Sequence, residues 1–212
     1  MAVEIIPSVL AARADSFRLR LRRAERLSRI VHIDLMDGQF VQTNSLSLLA
    51  ARQIQPSVRT DVHLMVAQPL DWLPLLARWP TRRVILHSEL GPRLRFVLAA
   101  ARANHWLIDL AINPTTPLRT LQRWIRHVHG LHVMTVRPGR YGAPFVPRMV
   151  DRIQELVKRY PRRPVAVDGS VNLKTAPGLV SAGARRLVVG SYLQRSSQPT
   201  EALAALRRAV RS

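Results

Sequence analysis

A histidine and an aspartate stand two residues apart, His32 and Asp34, at the end of an apolar run that begins at Ile30. Residues i and i+2 of a β-strand share one face, so both side chains are expected to point the same way. Such a pair could supply two ligands to a metal ion. Taken alone, the stretch favours a hydrogen-bonded core histidine beside a solvated aspartate, because short patterns often match by chance.

Polar residues also end several other apolar runs, where a buried polar group is costly unless something satisfies it. The polar residues at the carboxyl ends of predicted strands are Ser8, His32, Asp34, His63, His87, Asn113, Arg137 and Asp168. This group includes two carboxylates as well as histidines. Two histidines together with two carboxylates would suit one divalent transition metal ion, such as zinc, iron(II), manganese or cobalt. The residue types do not choose among these metals.

The elements that position these residues alternate between short apolar runs and longer stretches of helical period, as in βα units around a parallel sheet. The predicted strands are Val3–Ser8, Ile30–Asp34, Val58–Met65, Arg83–His87, Leu107–Ile112, Leu131–Val136, Pro164–Asp168 and Leu187–Val189. The predicted helices are Asp15–Leu27, Ser45–Gln53, Pro69–Trp79, Pro92–Asn104, Pro117–His127, Val146–Val157, Leu173–Ser181 and Thr200–Val210. Eight alternations predict one (β/α)8 TIM barrel, as a single domain over residues 1–212, with its chemistry at the carboxyl ends of the strands. A doubly wound open sheet is the structural alternative.

Composition limits the class of protein. The chain has 212 residues, 47% of them hydrophobic, which suits one packed domain. It contains no cysteine, which excludes disulfides and thiolate metal sites. We find neither an apolar run long enough to span a membrane nor a signal peptide, so we expect a cytoplasmic protein without a membrane partner.

The formal net charge is +20, from 33 Lys+Arg against 13 Asp+Glu, and it raises the question of nucleic-acid binding. The arginines are scattered over the predicted helices, and Lys158 and Lys174 are the only lysines. This distribution favours incidental surface basicity over a nucleic-acid partner. A non-catalytic, basic nucleic-acid-binding barrel is the alternative from another functional class.

Six segments together resemble the ribulose-phosphate 3-epimerase family. They occur in the family's order between Ile5 and about Leu193, and read IIPSVLAA, VHIDLMDGQFV, DVHLMV, INPTTPL, MTVRPG and VAVDGSV. The resemblance implies a divalent metal ion held by His32, Asp34, His63 and Asp168, no organic cofactor, and a homo-oligomer. It also implies that the two aspartates exchange protons with opposite faces of an anionic ketose, through a metal-stabilised enediolate. The default reaction converts ribulose 5-phosphate to xylulose 5-phosphate.

The resemblance also assigns residues that contact the substrate. Ser8 would lie near the metal, and three methionines would pack over the reaction centre, although core packing alone would explain them. These are Met36, Met65 and Met134. A phosphate would lie against Gly169, Ser170, Gly190 and Ser191. Decarboxylation is set aside, because the third strand lacks the lysine that related decarboxylating barrels use.

One loop departs from the family pattern. The family reads Asn-Pro-Gly-Phe-Gly-Gly-Gln after the sixth strand, whereas this chain reads RPGRYGA from Arg137 to Ala143. Gly139 and Gly142 are retained and would contact the substrate, while Arg137 and Arg140 could form a fork for an anion. An epimerase of a modified or nucleotide-linked sugar, in a specialised biosynthetic pathway, is therefore the alternative within the enzyme class.

Overall fold

Eight parallel strands close into a barrel in the computed structural model, which describes residues 3–138 and 142–211. The strands are β1 (Glu4–Val9), β2 (Ile30–Met36), β3 (Arg59–Met65), β4 (Thr81–His87), β5 (Leu107–Ile112), β6 (Gly130–Met134), β7 (Val165–Asp168) and β8 (Arg186–Val189). Each strand pairs with the next along the chain, and β8 pairs with β1. The predicted (β/α)8 barrel is confirmed, and the open sheet is wrong.

Helices surround the strands and cover the outer face of the barrel. They are α1 (Ala14–Leu27), α2 (Leu48–Ala51), α3 (Leu73–Arg78), α4 (Leu94–Ala103), α5 (Met149–Arg159), α6 (Ala176–Ser181), α7 (Ser191–Arg195) and α8 (Pro199–Ala209). The long helix α1 buries Phe17, Leu21 and Ala24 along one stripe, at the spacing of an amphipathic helix. In the described part of the chain, no helix combines the length and the hydrophobicity that a membrane crossing requires.

The helix predicted over Pro117–His127 is wrong. The segment forms two 3-10 turns, Leu118–Leu121 and Ile125–His127. The hydroxyl of Thr120 donates to the carbonyl of Pro117 at 2.8 Å, and the amide of Thr120 donates to the same carbonyl. Side-chain hydrogen bonds of this kind offer the backbone a local alternative to the regular helical pattern. Apolar spacing alone does not report this alternative.

Charged side chains fill the barrel at the amino ends of its strands. Asp109 accepts hydrogen bonds from Arg83 and Arg186, each at 2.5 Å. On β3, the carboxylate of Asp61 binds Arg82 at 2.8 and 2.6 Å. Both aspartates are at most 1% exposed. These ion pairs occupy the end of the barrel opposite the carboxyl ends, where the chemistry of such barrels is found.

Candidate active site

Strands β2 and β3 place three of the predicted site residues together. Their register sets Asp34 beside His63, and His32 precedes Asp34 on the same face. The Oδ1 atom of Asp34 lies 3.2 Å from Nε2 of His32 and 3.1 Å from Nδ1 of His63. All three residues are buried. The shared face that the spacing of His32 and Asp34 predicts is therefore present.

The fourth predicted residue, Asp168, reaches the same point from β7. Its Oδ2 atom lies 3.5 Å from Nδ1 of His63 and 3.7 Å from Nε2 of His32. Asp34 and Asp168 therefore approach the same two imidazoles from β2 and β7. The barrel brings together the four residues that the sequence singles out, although they are separated by up to 136 positions in the chain.

A fifth residue, His132 of β6, was missed by the sequence analysis. Its Nε2 atom lies 3.3 Å from Oδ2 of Asp168, and its ring stacks on that of His32 with centroids 5.5 Å apart. The residue was read as part of an apolar strand, because its neighbours Leu131 and Val133 are apolar. The signal that could have found it is its spacing, two positions before Met134 on the same face of the strand.

The donor atoms suit a divalent metal ion. One donor atom from each of His32, His63, His132 and Asp168 forms a group whose members all lie within 4.8 Å of one another. Bonds from nitrogen or oxygen to zinc are about 2.0–2.2 Å long, so neighbouring ligands on one ion are about 3.0–3.5 Å apart. The histidine and aspartate donors given above are 3.1–3.7 Å apart. This set of residues therefore fits a metal such as zinc or iron(II).

A cavity lies at the carboxyl ends of the strands, directly against the two aspartates. The predicted substrate-contact residues that line it are Ser8, Met36, Met65, Met134, Gly142, Gly169, Ser170, Gly190 and Ser191. Arg137 is exposed and does not line the described part of this cavity. Gly139 and Arg140 lie outside the described residues. The cavity thus extends from the aspartates to Gly169, Ser170, Gly190 and Ser191, the residues predicted to contact a phosphate.

The sequence model of the ribulose-phosphate 3 epimerase family matches residues 4–194. The chain belongs to that family. An enzyme named ribulose-phosphate 3-epimerase from Mycobacterium leprae is 32% identical over 215 residues, covering 96% of this chain and 93% of its own. Another of that name, from Schizosaccharomyces pombe, is 28% identical and covers 98% of this chain and 93% of its own. The chain is accordingly an isomerase, and the non-catalytic barrel considered from its basic charge is wrong.

Solved structures of other proteins are similar to this chain in fold alone. The 3-hexulose-6-phosphate synthase of Salmonella typhimurium superposes on the epimerase with a TM-score of 0.72, covering 98% of both chains, at 13% sequence identity. At that identity, the shared feature is the barrel and not the chemistry.

The carboxylates and imidazoles of the site shift one another's pKa values. Burial would raise the pKa of Asp168, but hydrogen bonds from His132 and His63 hold it well below its usual range. Burial disfavours the charged form of His63, but hydrogen bonds to Asp168 and Asp34 prevail and raise its pKa to about 9. Burial lowers the pKa of His132 to about 4. Near neutral pH, the epimerase therefore presents an anionic Asp168 and a neutral His132.

A chain of hydrogen bonds that begins at Nε2 of His63 orients the imidazole ring of this residue. Its Nε2 atom lies 2.8 Å from Nε2 of His87, and Nδ1 of His87 lies 3.1 Å from Oε2 of Glu89. The amide of Asn113 donates to the other oxygen of Glu89 at 2.9 Å. Because Nε2 of His63 is held by His87, Nδ1 faces the two aspartates. Such a partner behind a ligand fixes the orientation of its imidazole ring.

We expect Glu89→Gln to lower the free energy of unfolding near neutral pH. Burial raises the pKa of Glu89, but hydrogen bonding to His87 prevails and lowers it from 4.5 to about 2. A lowered pKa stabilises the fold fully above pH 4.5, and this stabilisation is lost as the pH falls through about 2. At 1.36 kcal/mol per pKa unit, it amounts to at most about 3 kcal/mol.

Urea unfolding of wild type and Glu89→Gln at pH 7 and at several acidic pH values tests this expectation. The difference in unfolding free energy should shrink as the pH falls below 4.5. Exposed Glu155→Gln is the control and should change stability by less than about 0.5 kcal/mol. A difference between wild type and Glu89→Gln that is the same at every pH would contradict the expectation.

The turn after β7 holds two residues with positive φ beside the cavity. Gly169 has φ +115°, and a Cβ atom there would lie 2.5 Å from Cγ2 of Val136. Ser170 has φ 50°, a left-handed conformation in which glycine is favoured. Its hydroxyl donates to the carbonyl of Ala143, and its own carbonyl accepts from Thr175 at 2.9 Å. These bonds hold serine in a conformation that usually selects glycine.

Proposed function

We propose that the chain is a metal-dependent epimerase of a phosphorylated ketose, with ribulose 5-phosphate and xylulose 5-phosphate as its substrate and product. The observation that carries this proposal is the pair of carboxylates of Asp34 and Asp168, which lie within 3.7 Å of the same two imidazoles and border one cavity. The names of the family and of its relatives support the choice of substrate.

The residues proposed to hold the metal are His32, Asp34, His63 and Asp168. Their mixture of imidazole and carboxylate donors suits zinc, iron(II), cobalt or manganese. When bound, the metal would supply a Lewis acid that polarises a carbonyl group and stabilises negative charge.

Proton transfer is assigned to the two carboxylates. Asp34 comes from β2 and Asp168 from β7, and both line the cavity. A ketose placed between them would present one face of its carbon 3 to each carboxylate. One carboxylate takes the proton from carbon 3, and the other returns a proton to the opposite face, so the configuration inverts.

The rest of the cavity would hold and shield the sugar. Three methionines line it, and each of them is at most 4% exposed, so they limit the access of water to the reacting carbon. Ser8 also lines the cavity, and its hydroxyl would bind an oxygen of the sugar. The methionines would therefore exclude solvent while Ser8 orients the substrate.

A basic depression beside the cavity suits the phosphate. Gly142, Ser170 and Ser191 line both the cavity and this neighbouring depression, which Arg195 also lines. Small residues let backbone amides approach an anion closely, and an arginine supplies the compensating charge. A sugar with its carbon 3 near the aspartates would extend its phosphate in this direction.

A modified sugar is the second candidate substrate. In the segment that departs from the family pattern, Pro138, Gly142 and Ala143 line the cavity, and Ala143 is the one of these three whose residue type differs from the family. Substitutions in that segment can therefore change which anionic group is accepted. This candidate keeps the same proton-transfer pair and the same metal.

The proposal is tested with the metal-loaded protein in deuterated water. With ribulose 5-phosphate, we expect NMR to show deuterium at carbon 3 together with formation of xylulose 5-phosphate. The metal-free protein should show neither, and exposed Asp151→Asn should behave as wild type. No exchange despite stoichiometric metal would reject ribulose 5-phosphate and favour the modified sugar. Full activity without a metal ion would reject metal dependence.

A further inference from the structure

We propose that His132 is an additional metal ligand, which binds through Nε2 beside the four residues assigned above. This inference rests on the proposed metal-dependent function and deepens it. The family resemblance assigns two histidines and two aspartates to the metal. This chain has a third histidine, whose donor atom lies within 4.8 Å of donor atoms of His32, His63 and Asp168.

The position of His132 on β6 directs it to the site. In the parallel register, His132 pairs with Ala166 and Met134 pairs with Asp168. Met134 lines the cavity, and His132 lies on the same face of β6, two residues earlier. His132 is 1% exposed, so its ring is enclosed in the barrel interior. A buried imidazole requires partners for its polar atoms.

The rings of the three histidines converge on one point. The centroid of His132 lies 5.5 Å from that of His32 and 4.8 Å from that of His63. Its Nε2 atom lies 3.3 Å from Oδ2 of Asp168, the oxygen that also approaches both other histidines. A separation of 3.3 Å is typical of two neighbouring ligands on one ion, as calculated from metal–ligand bonds of about 2.0–2.2 Å.

His87 provides a contrast that makes the assignment specific. Its ring also stacks on His63, with centroids 5.0 Å apart. Both of its ring nitrogens are engaged, Nε2 by His63 and Nδ1 by Glu89, and it is not a member of the donor group. Proximity to His63 is therefore not sufficient. His132 differs because its Nε2 atom points at the shared centre.

An additional imidazole would change the chemistry of the site. It adds a neutral donor, so the charge of the ligand set is unchanged while a position otherwise open to water or substrate is taken. A set with three imidazoles suits zinc, cobalt and iron(II) better than manganese, which prefers oxygen ligands. We therefore expect the epimerase to discriminate against manganese, and to do so less after His132→Leu.

The experiment counts the histidines that bind cobalt. Each imidazole on Co(II) that keeps a proton on its other nitrogen gives a strongly shifted, exchangeable proton resonance. We expect three such resonances in the Co(II)-loaded wild type and two in His132→Leu, with a loss of Co(II) affinity of at least about 10-fold. The matched control is His127→Gln on an exposed residue, which should retain three resonances and the wild-type affinity.

The outcomes separate the inference from the proposed function. Two shifted resonances in wild type carrying stoichiometric Co(II) would overturn the role of His132 and leave the proposed function intact. Failure of wild type to bind Co(II), zinc or iron(II) would overturn both. Because the count in wild type decides the inference, the test stands even if His132→Leu does not fold.

Discussion

Asp34→Asn and Asp168→Asn are each expected to lower the rate of epimerisation by about 10³-fold or more, and yet to leave proton exchange intact for one of the two epimers. The magnitude is typical of the loss of a general acid or base. In the proposed mechanism, each carboxylate serves one face of carbon 3. A carboxylate therefore removes a proton from the epimer whose carbon–hydrogen bond points at it.

The two variants should consequently give complementary patterns. Each is incubated in deuterated water with ribulose 5-phosphate and, separately, with xylulose 5-phosphate, and deuterium at carbon 3 is followed by NMR. We expect Asp34→Asn to exchange one epimer and Asp168→Asn to exchange the other. Because both residues are also proposed metal ligands, the metal content of each variant is measured, and the comparison is made at equal loading.

Two other results would contradict this mechanism. If both metal-loaded variants lose exchange with the same epimer, one base serves both faces. If both retain epimerisation within about 10-fold of wild type, the carboxylates do not carry the protons. Exposed Asp151→Asn controls for the loss of a carboxylate as such and should exchange both epimers at the wild-type rate.

The sequence was informative about the barrel because its strands are buried on both faces. They read as mostly apolar runs such as Ile30–Met36, which only His32 and Asp34 interrupt. Polar residues near the ends of such runs stand out, which is how His32, Asp34, His63 and Asp168 were found. These four residues come together only because the barrel closes. The sequence predicts that closure only from the number of alternating strands and helices, which is eight.

The residues that the sequence analysis missed are those whose role depends on partners far away in the chain. His132 looks like a polar interruption of an apolar strand until β6 is placed beside β7. Asp109 lies near the beginning of a strand. Its role depends on ion pairs with Arg83 and Arg186, which are 26 and 77 positions away in the sequence. The 3-10 turns Leu118–Leu121 and Ile125–His127 were missed because apolar spacing does not distinguish them from a regular helix. Apolar periodicity records none of these contacts.

Asp109→Asn is expected to lower the free energy of unfolding by about 3–5 kcal/mol, which is the usual cost of leaving buried charge unpaired. Asp109 is fully buried, and Arg83 and Arg186 are at most 7% exposed. Asparagine has nearly the same shape, so the loss is one of charge. Room to rearrange is limited, because even a Cβ atom on Gly130 would lie 2.7 Å from Nη2 of Arg186 and from Oδ1 of Asp109.

Urea unfolding measures this loss, and exposed Asp151→Asn is the matched control, with an expected change below about 0.5 kcal/mol. Adding Arg83→Met and Arg186→Met to Asp109→Asn should recover part of the stability, because it removes the charges left without a partner. Turnover by the folded fraction should stay near that of wild type, since this cluster closes the end of the barrel opposite the aspartates. A change below about 1 kcal/mol in Asp109→Asn would mean that Asp61, whose Oδ2 atom lies 3.7 Å from Nε of Arg83, compensates the arginines without Asp109.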